Sequence, residues 1–278
     1  MILDPATRPP LDRDRLAGMH PDLVPGIRVE VVQVAGSTNA LVGERAREGA
    51  ADGLVVVAEH QTRGRGRLDR TWESPARSAL TFSVLLRPEV PARSWPWIPL
   101  LTGYAVGKAL RACGYAADVK WPNDVLIGGK KVAGILVERI ETDQGPAAVL
   151  GVGLNVTLSA EELPVPSATS LALESGDPDP GESPERTDLL LMVLQTLREA
   201  YDTWQAGGDL GTTRLAESYA AACVTIGQRV RVELPAGGTL VGAATGVDPG
   251  GRLLVQHDGT TTVVSAGDVV HVRAADPR

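Results

Sequence analysis

Four arginines, Arg63, Arg65, Arg67 and Arg70, fall within residues 61–74, QTRGRGRLDRTWES, with Gly64 and Gly66 between them. A guanidinium presents a planar fork of donors that matches phosphate and carboxylate oxygens. Glycine lets the backbone approach a ligand closely. In a chain of formal net charge -7 the segment is a local positive island. It is expected to be a mobile loop that closes over an anion, with a solvated turn as the plainer alternative.

A second cluster lies in KWPNDVLIGGKKVAGILVE, residues 120–138. Lys120 and Lys131 flank a predicted hairpin, and Asp124 opens its first strand. A lysine at a hairpin end can serve as a point charge for an anionic substrate. Lys130 reads as a solvated tip, whereas Lys131 opens the apolar strand VAGILV. Gly134 is a glycine inside a strand, which marks close approach of a ligand or another backbone. The third cluster is Ser37-Thr38-Asn39, at a predicted helix N-terminus with free backbone N–H groups. Capping accounts for Ser37 but does not require three polar groups in a row. A polar ligand edge is the other reading.

What is missing narrows the chemistry. There is no GxxxxGK[ST] phosphate loop, no complete GxGxxG fingerprint and no GxSxG elbow. GVGLNV, residues 151–156, has only the first two glycines and sits inside a strand, so it is set aside as a dinucleotide site. His20, His60, His257 and His271 are dispersed and form no metal spacing.

These groups need elements to hold them. RVEVVQV (28–34) alternates and reads as a strand, and Ser37 caps a helix running to about Arg47. GLVVVAEHQ (53–61) reads as a buried strand, and SALTFSVLLR (78–87) as the next. Residues 95–112 have helical periodicity. KWPNDVLI and KVAGILVERI read as two strands joined by Gly128-Gly129-Lys130. Residues 147–158 form another strand. Residues 174–188, with six acids against one arginine, read as an exposed insertion. Helices are predicted over 187–206 and 209–222. After Cys223 short strands alternate with Gly-containing turns, the signature of a small barrel. The fold class expected is α+β: a mixed β-sheet with helices on one face, then a five- or six-stranded barrel. The divisions are a poorly anchored arm or single short helix over 1–25, a main unit over 26–223 and the barrel over 224–278.

Composition excludes several classes. The 278 residues are 43% hydrophobic and 22% charged, ordinary for a soluble globular protein. A pI near 5.2 argues against general nucleic-acid binding. No run of 18 apolar residues exists, so no membrane span is expected. The first residues lack the apolar stretch of a signal peptide. Cys113 and Cys223 fit no metal or redox spacing and read as reduced residues of a cytoplasmic protein.

Taken together, GRGRLDRTWES, KWPNDVLIGGKKVAGILVE and GVGLNV resemble the biotin protein ligases. Members of that family carry a GRGRxxRxWxS loop, KWPND followed by GxKxxGILxE, and a GxGxN strand in this order. The family's class II synthetase-like catalytic domain is followed by an SH3-like barrel, which the last 55 residues resemble. The resemblance spans roughly residues 28–273 and is to ligases without an N-terminal DNA-binding domain.

The resemblance implies a role for each matching position. Ser37, Thr38 and Asn39 match a segment that contacts the biotin ureido ring, and Gln61 matches a biotin-contacting glutamine. Gly64, Arg65, Gly66 and Arg67 match the loop over biotin and the adenylate, with Arg67 near carboxylate and phosphate. Arg70 and Trp72 match its ATP-binding part, and Trp72 also borders biotin. Lys131 matches the lysine on the biotin carboxylate and α-phosphate, and Gly134 and Ile135 line the ligand floor. Asn123, Asp124 and Asn155 match polar residues near the nucleotide and metal, Asp124 being the implied Mg²⁺ contact. Lys131, Arg67 and Asp124 form the implied catalytic set. The chain departs from the family's usual GRGRRGR at Leu68-Asp69, which stiffens the loop and puts a carboxylate near phosphates.

The implied reaction makes biotinyl-5′-AMP from biotin and ATP, then transfers biotin to a lysine of a biotin carboxyl carrier domain of an acyl-CoA or pyruvate carboxylase. The loop is expected to be disordered without ligand and ordered with the acyl-adenylate. Alternatives are a lipoate or octanoyl ligase or transferase of related fold, a biotin-responsive DNA-binding repressor, and a small-molecule-binding module without turnover. Neither DNA nor a membrane is an expected partner, and the family includes monomers and homodimers.

Overall fold

The computed structural model describes residues 8–18, 24–68, 70–175, 185–234 and 237–272. Its centre is a seven-stranded mixed sheet in the order β1-β2-β5-β9-β8-β7-β6. The strands are β1 (Arg28–Ala35), β2 (Leu54–Gln61), β5 (Ala79–Leu86), β6 (Ala117–Lys120), β7 (Asp124–Ile127), β8 (Lys130–Thr142) and β9 (Gly145–Asn155). β1 and β2 run parallel and every other neighbouring pair is antiparallel. A two-residue β3 (Gly64–Arg65) pairs with β4 (Thr71–Trp72) as a separate ribbon.

Strands β2 and β5 are apolar on both sides because both faces of the sheet are covered. Val55, Val57, Val84 and Leu86 face the main core with α3 (Trp97–Ala112), Leu171 of the one-turn α4 (Leu171–Glu174) and α5 (Arg186–Ala222). Their alternates Leu54, Val56 and Leu85 meet Val42 and Ala46 of α2 (Thr38–Arg47) in a smaller core. The expected one-face packing thus describes the long helices, while α2 lies on the opposite face. α5 is kinked at Gly208, whose φ of 52° and ψ of -130° only glycine tolerates well. That kink is where the sequence separates two helices.

Two local expectations need correction. KWPNDVLI is not one strand: Trp121, Pro122 and Asn123 turn the chain between β6 and β7. Proline has no N–H for a ladder and cannot continue a central strand. The described part of the N-terminal arm, residues 8–18, contains the single short helix expected as one alternative and is not loosely attached. Leu11 and Leu16 are buried, the latter on α1 (Arg13–Ala17), and the Leu11 N–H donates to buried Glu59 at 2.7 Å. Arg186 donates both to Glu59 at 2.7 Å and to the Pro9 carbonyl at 2.7 Å. The centre of the acidic 174–188 stretch lies outside the described residues.

The C-terminal part is a five-stranded antiparallel sheet in the order β13-β12-β11-β10-β14. It comprises β10 (Arg229–Glu233), β11 (Thr239–Val247), β12 (Leu253–His257), β13 (Thr260–Val264) and β14 (Asp268–His271). Two buried indoles, one on α3 and one in the turn between β6 and β7, join it to the main unit. Trp97 Nε1 donates to the Pro249 carbonyl at 2.8 Å, and Trp121 Nε1 to the Gly251 carbonyl at 3.1 Å. Among the described residues no helix is long and apolar enough to cross a membrane.

Candidate active site

The strand order places five short segments around one cleft of about 120 Å³. The N-terminus of α2 brings Thr38 and Asn39, the end of β2 brings Gln61, and the β3–β4 ribbon brings Arg65, Arg67, Arg70 and Trp72. The β7–β8 hairpin brings Asp124, Lys131 and Gly134, and the strand-linking turn brings Asn123. Ser37 also lines the cleft while its hydroxyl accepts the Ala40 N–H, so it does cap α2.

The floor is made by glycines. Gly134 on β8 and Gly153 on β9 are register partners. A side chain at Gly153 would come within 2.6 Å of Trp72 Nε1, and one at Gly134 within 3.1 Å of its ring. The indole therefore lies against bare backbone, and its Nε1 is buried without a hydrogen-bond partner. Gly151, two residues earlier on the same face, leaves room for the Asn39 amide. The G-V-G spacing provides these clearances at residues 151 and 153. Ser83 on β5, Glu138 on β8 and Asp268 on β14 also belong to the site's surroundings, and the motif reading did not single them out. Small residues alternating within a buried strand were the available signal for Gly151 and Gly153.

One end of the cleft is polar and formally neutral. The Thr38 N–H donates to Gln61 Oε1 at 2.8 Å. The other end is cationic. Lys131 Nζ lies 2.6 Å from Asp124 Oδ1 and 5.7 Å from the Trp72 ring centroid. Arg67 Nη1 donates to Asn123 Oδ1 at 3.0 Å, and Asn123 Nδ2 in turn donates to the Ile135 carbonyl at 2.9 Å. Burial, ahead of the neighbouring Arg70 charge, lowers the Arg67 pKa against the opposing pull of Asp124. Lys120 is lowered too, first by burial and then by Lys131 and Arg70, again against Asp124. Arg67, Arg70, Lys120 and Lys131 outnumber Asp124 and Asp268, so the end carries net positive charge. Desolvated cations short of counterions bind anions well.

Not every predicted residue reaches the cleft. Gly64 sits behind it in the β3–β4 ribbon, where a side chain would meet the Trp72 carbonyl and the Gln61 amide. Asn155 shares the face of Gly153 but lies further along β9, and its Nδ2 donates to the Thr169 carbonyl at 2.9 Å. It acts at one remove, since the Thr169 N–H donates to the Lys131 carbonyl at 2.8 Å. The Arg-rich segment forms a ribbon rather than a featureless loop, with the Gly66 N–H donating to the Arg70 carbonyl at 2.7 Å. Leu68 at its tip has a φ of 54°, unusual for a non-glycine residue, and Asp69 lies outside the described residues. Among the described residues no three carboxylate, His or Cys side chains converge on a metal position.

With this mixed sheet, glycine floor, polar end and cationic end, the chain matches the biotin/lipoate class of protein ligases. The biotin/lipoate A/B protein ligase family model matches residues 31–155, and the biotin protein ligase C-terminal domain model matches 225–272. The biotin–[acetyl-CoA-carboxylase] ligase of Mycobacterium tuberculosis is 44% identical over 96% of this chain and 97% of its own. The bifunctional ligase/repressor BirA of Bacillus subtilis is 34% identical over 87% of this chain and 75% of its own. The Aquifex aeolicus biotin protein ligase, solved with biotin and ATP, superposes with a TM-score of 0.70 at 26% identity. That match covers 88% of this chain and 99% of that one. The chain belongs to the biotin protein ligase family.

Proposed function

We propose that the cleft holds biotin with its ureido head at the Thr38–Gln61 end and its carboxylate at Lys131, and that it joins biotin to an acceptor lysine in two steps driven by ATP. The observation that carries this is the pairing of a neutral polar end with a cationic end inside one cleft. In the first step a biotin carboxylate oxygen attacks the α-phosphorus of ATP and the bond to pyrophosphate breaks. The obstacle is repulsion between two anions, which Lys131 and Arg67 offset by preorganised positive charge. In the second step an acceptor lysine amine attacks the acyl carbon, the bond to AMP breaks and the amine loses a proton. The ribbon over the cleft keeps water from the mixed anhydride.

Magnesium suits this donor set. Asp124 places a carboxylate in the cleft whose Oδ1 is buried, with the Lys131 ion pair at 2.6 Å as its neighbour. A single carboxylate fits an ion carried largely by phosphates, with Asp124 as its protein ligand. When bound, Mg²⁺ would neutralise charge developing on the phosphoryl oxygens.

We assign the catalytic unit to residues 26–223 and the barrel to 224–278. The acceptor, a biotin carboxyl carrier domain, has a backbone edge to use. β8 pairs with β7 only through Gly134, and Ile135 still bonds to Asn123, so among the described residues the backbone of 137–142 is paired on one side only, to β9. Incubation with ATP, labelled biotin and a carrier domain tests the reading. Biotin incorporation that lipoate does not compete away is expected, and no labelled carrier would overturn it.

A further inference from the structure

Behind the polar end of the cleft, hydrogen bonds link Gln61, Thr38, Ser83, Asn39, Glu138 and Arg65 into one chain. Glu138 Oε2 accepts from Asn39 Nδ2 at 2.7 Å and from Arg65 at 2.9 Å. Ser83 Oγ lies 2.6 Å from Asn39 Oδ1 and 2.7 Å from Thr38 Oγ1, and Ser83 is fully buried. Each link constrains the next. A carboxylate can only accept, so Asn39 must turn its NH₂ group toward Glu138. Its Oδ1 then faces Ser83 and can only accept, so the single Ser83 proton goes there. The short contact between Ser83 and Thr38 must carry the Thr38 proton. Gln61 Oε1, 3.1 Å from the Thr38 hydroxyl, already has the Thr38 backbone N–H. Thr38 Oγ1 is left facing the cleft with lone pairs and no proton to give.

We infer that Glu138, acting through Asn39 and Ser83, fixes Thr38 as an acceptor and so selects a substrate head group that presents an N–H. This deepens the biotin reading and rests on it, since the biotin ring presents urea N–H groups. Asn39 is thereby a relay whose amide is used at both ends by protein partners. Glu138 and Ser83 are positioning residues that do not touch the substrate.

The test uses calorimetric titration with biotin and steady-state kinetics on the full chain, with circular dichroism as a folding check. Glu138→Lys places a donor where an acceptor stood, turns the Asn39 amide and reverses the chain. Ser83→Ala removes the relay with little change of volume. Both are expected to raise the biotin Kd and KM about tenfold or more, with the ATP KM and the kcat at saturating biotin within about threefold of wild type. Glu138→Gln retains an acceptor oxygen and is expected to bind biotin within about threefold of wild type. Near-normal biotin binding by Ser83→Ala overturns the relay, and Ser83→Ala decides alone if the lysine variant does not fold. Loss in Glu138→Gln as large as in Glu138→Lys also overturns it, since ion pairing to Arg65 would then be the cause. If the wild type itself binds no biotin, the functional reading fails first and takes this one with it.

Discussion

Lys131 Nζ stands 2.6 Å from Asp124 Oδ1, on adjacent strands joined by a tight glycine turn. The pair holds the lysine beside Gly134, whose missing side chain leaves Nζ only 3.0 Å from where a Cβ would be. A cation so placed is preorganised for a carboxylate and a phosphate meeting at the cleft. Lys131→Ala is expected to slow biotin-dependent pyrophosphate release about 100-fold or more, the usual effect of losing one preorganised donor. Near-normal release would remove Lys131 from the mechanism.

The glycine floor predicts a coupling between two residues far apart in sequence. Gly153→Ala would drive a methyl group into the Trp72 indole. The ring must then leave the floor, and activity is expected to fall about tenfold or more as the cleft loses its shape. In a Trp72→Ala background the same substitution should cost much less. A double-mutant cycle measures the difference, and purely additive effects would show that the ring does not rest on Gly153.

Much of this architecture was legible in the chain. Alternation in 28–34 and the apolar run 53–61 located β1 and β2, and the change of texture after Cys223 located the C-terminal sheet. Thr38, Gln61, Arg67, Asp124 and Lys131 were reachable through resemblance to the ligase family's motifs, and the structure brings them around one cleft. What escaped were residues whose importance is set across strands. Ser83 is a buried serine in an apolar run, and only the β5 register puts it under Thr38 and Asn39. Asp268 belongs to another sheet, and no local pattern ties it to Arg70. The short helix of the N-terminal arm was expected, but its anchoring was missed for a similar reason. Pro- and Asp-rich text suggests a free tail, but its anchors are Glu59 and Arg186, distant in sequence.

The ion pair between Arg70 and Asp268 ties the ribbon to the C-terminal sheet. Its arginine is 66% exposed, so the pair contributes at most about 1 kcal/mol to folding. Its value lies in holding the ribbon down. Asp268→Asn is expected to leave the unfolding midpoint almost unchanged while shortening the lifetime of bound acyl-adenylate several-fold. A chase experiment with excess unlabelled biotin reads that lifetime, and an unchanged value would assign the pair no such role.

His271 gives a pH dependence with a definite sign. Burial, and then the charge of Lys120, lower its pKa below the ordinary histidine value. Its Nε2 lies 3.3 Å from Thr225 Oγ1, which accepts the Trp121 N–H at 3.1 Å. Because the folded pKa is depressed, the unfolded chain binds the proton first as pH falls. Stability is therefore lost below the ordinary histidine range and regained above it. Denaturant unfolding at several pH values between 5 and 8 should show this slope, and His271→Gln should flatten it. A slope that is the same in the variant would place its origin elsewhere.

The buried pair of Arg186 and Glu59 makes the strongest stability prediction. Both side chains are at most 6% exposed, and each also serves the N-terminal arm, Glu59 by accepting the Leu11 N–H and Arg186 by donating to the Pro9 carbonyl. Arg186→Met leaves the Glu59 carboxylate with the Leu11 N–H but without its counterion. Removing one partner of a buried ion pair costs about 3–5 kcal/mol. The variant should show that loss in denaturant unfolding, together with faster proteolysis around residues 8–17 as the arm detaches. Replacing both members, Glu59→Leu with Arg186→Met, removes the stranded charge and should recover a large part of the stability. The arm should nonetheless stay more protease-sensitive than wild type in the double variant, because two of its polar anchors are gone while those of Arg8 to Glu162 and Asp12 to Thr187 remain. Equal loss in the single and double variants would mean that packing of the arm, rather than the buried charge, dominates at this point.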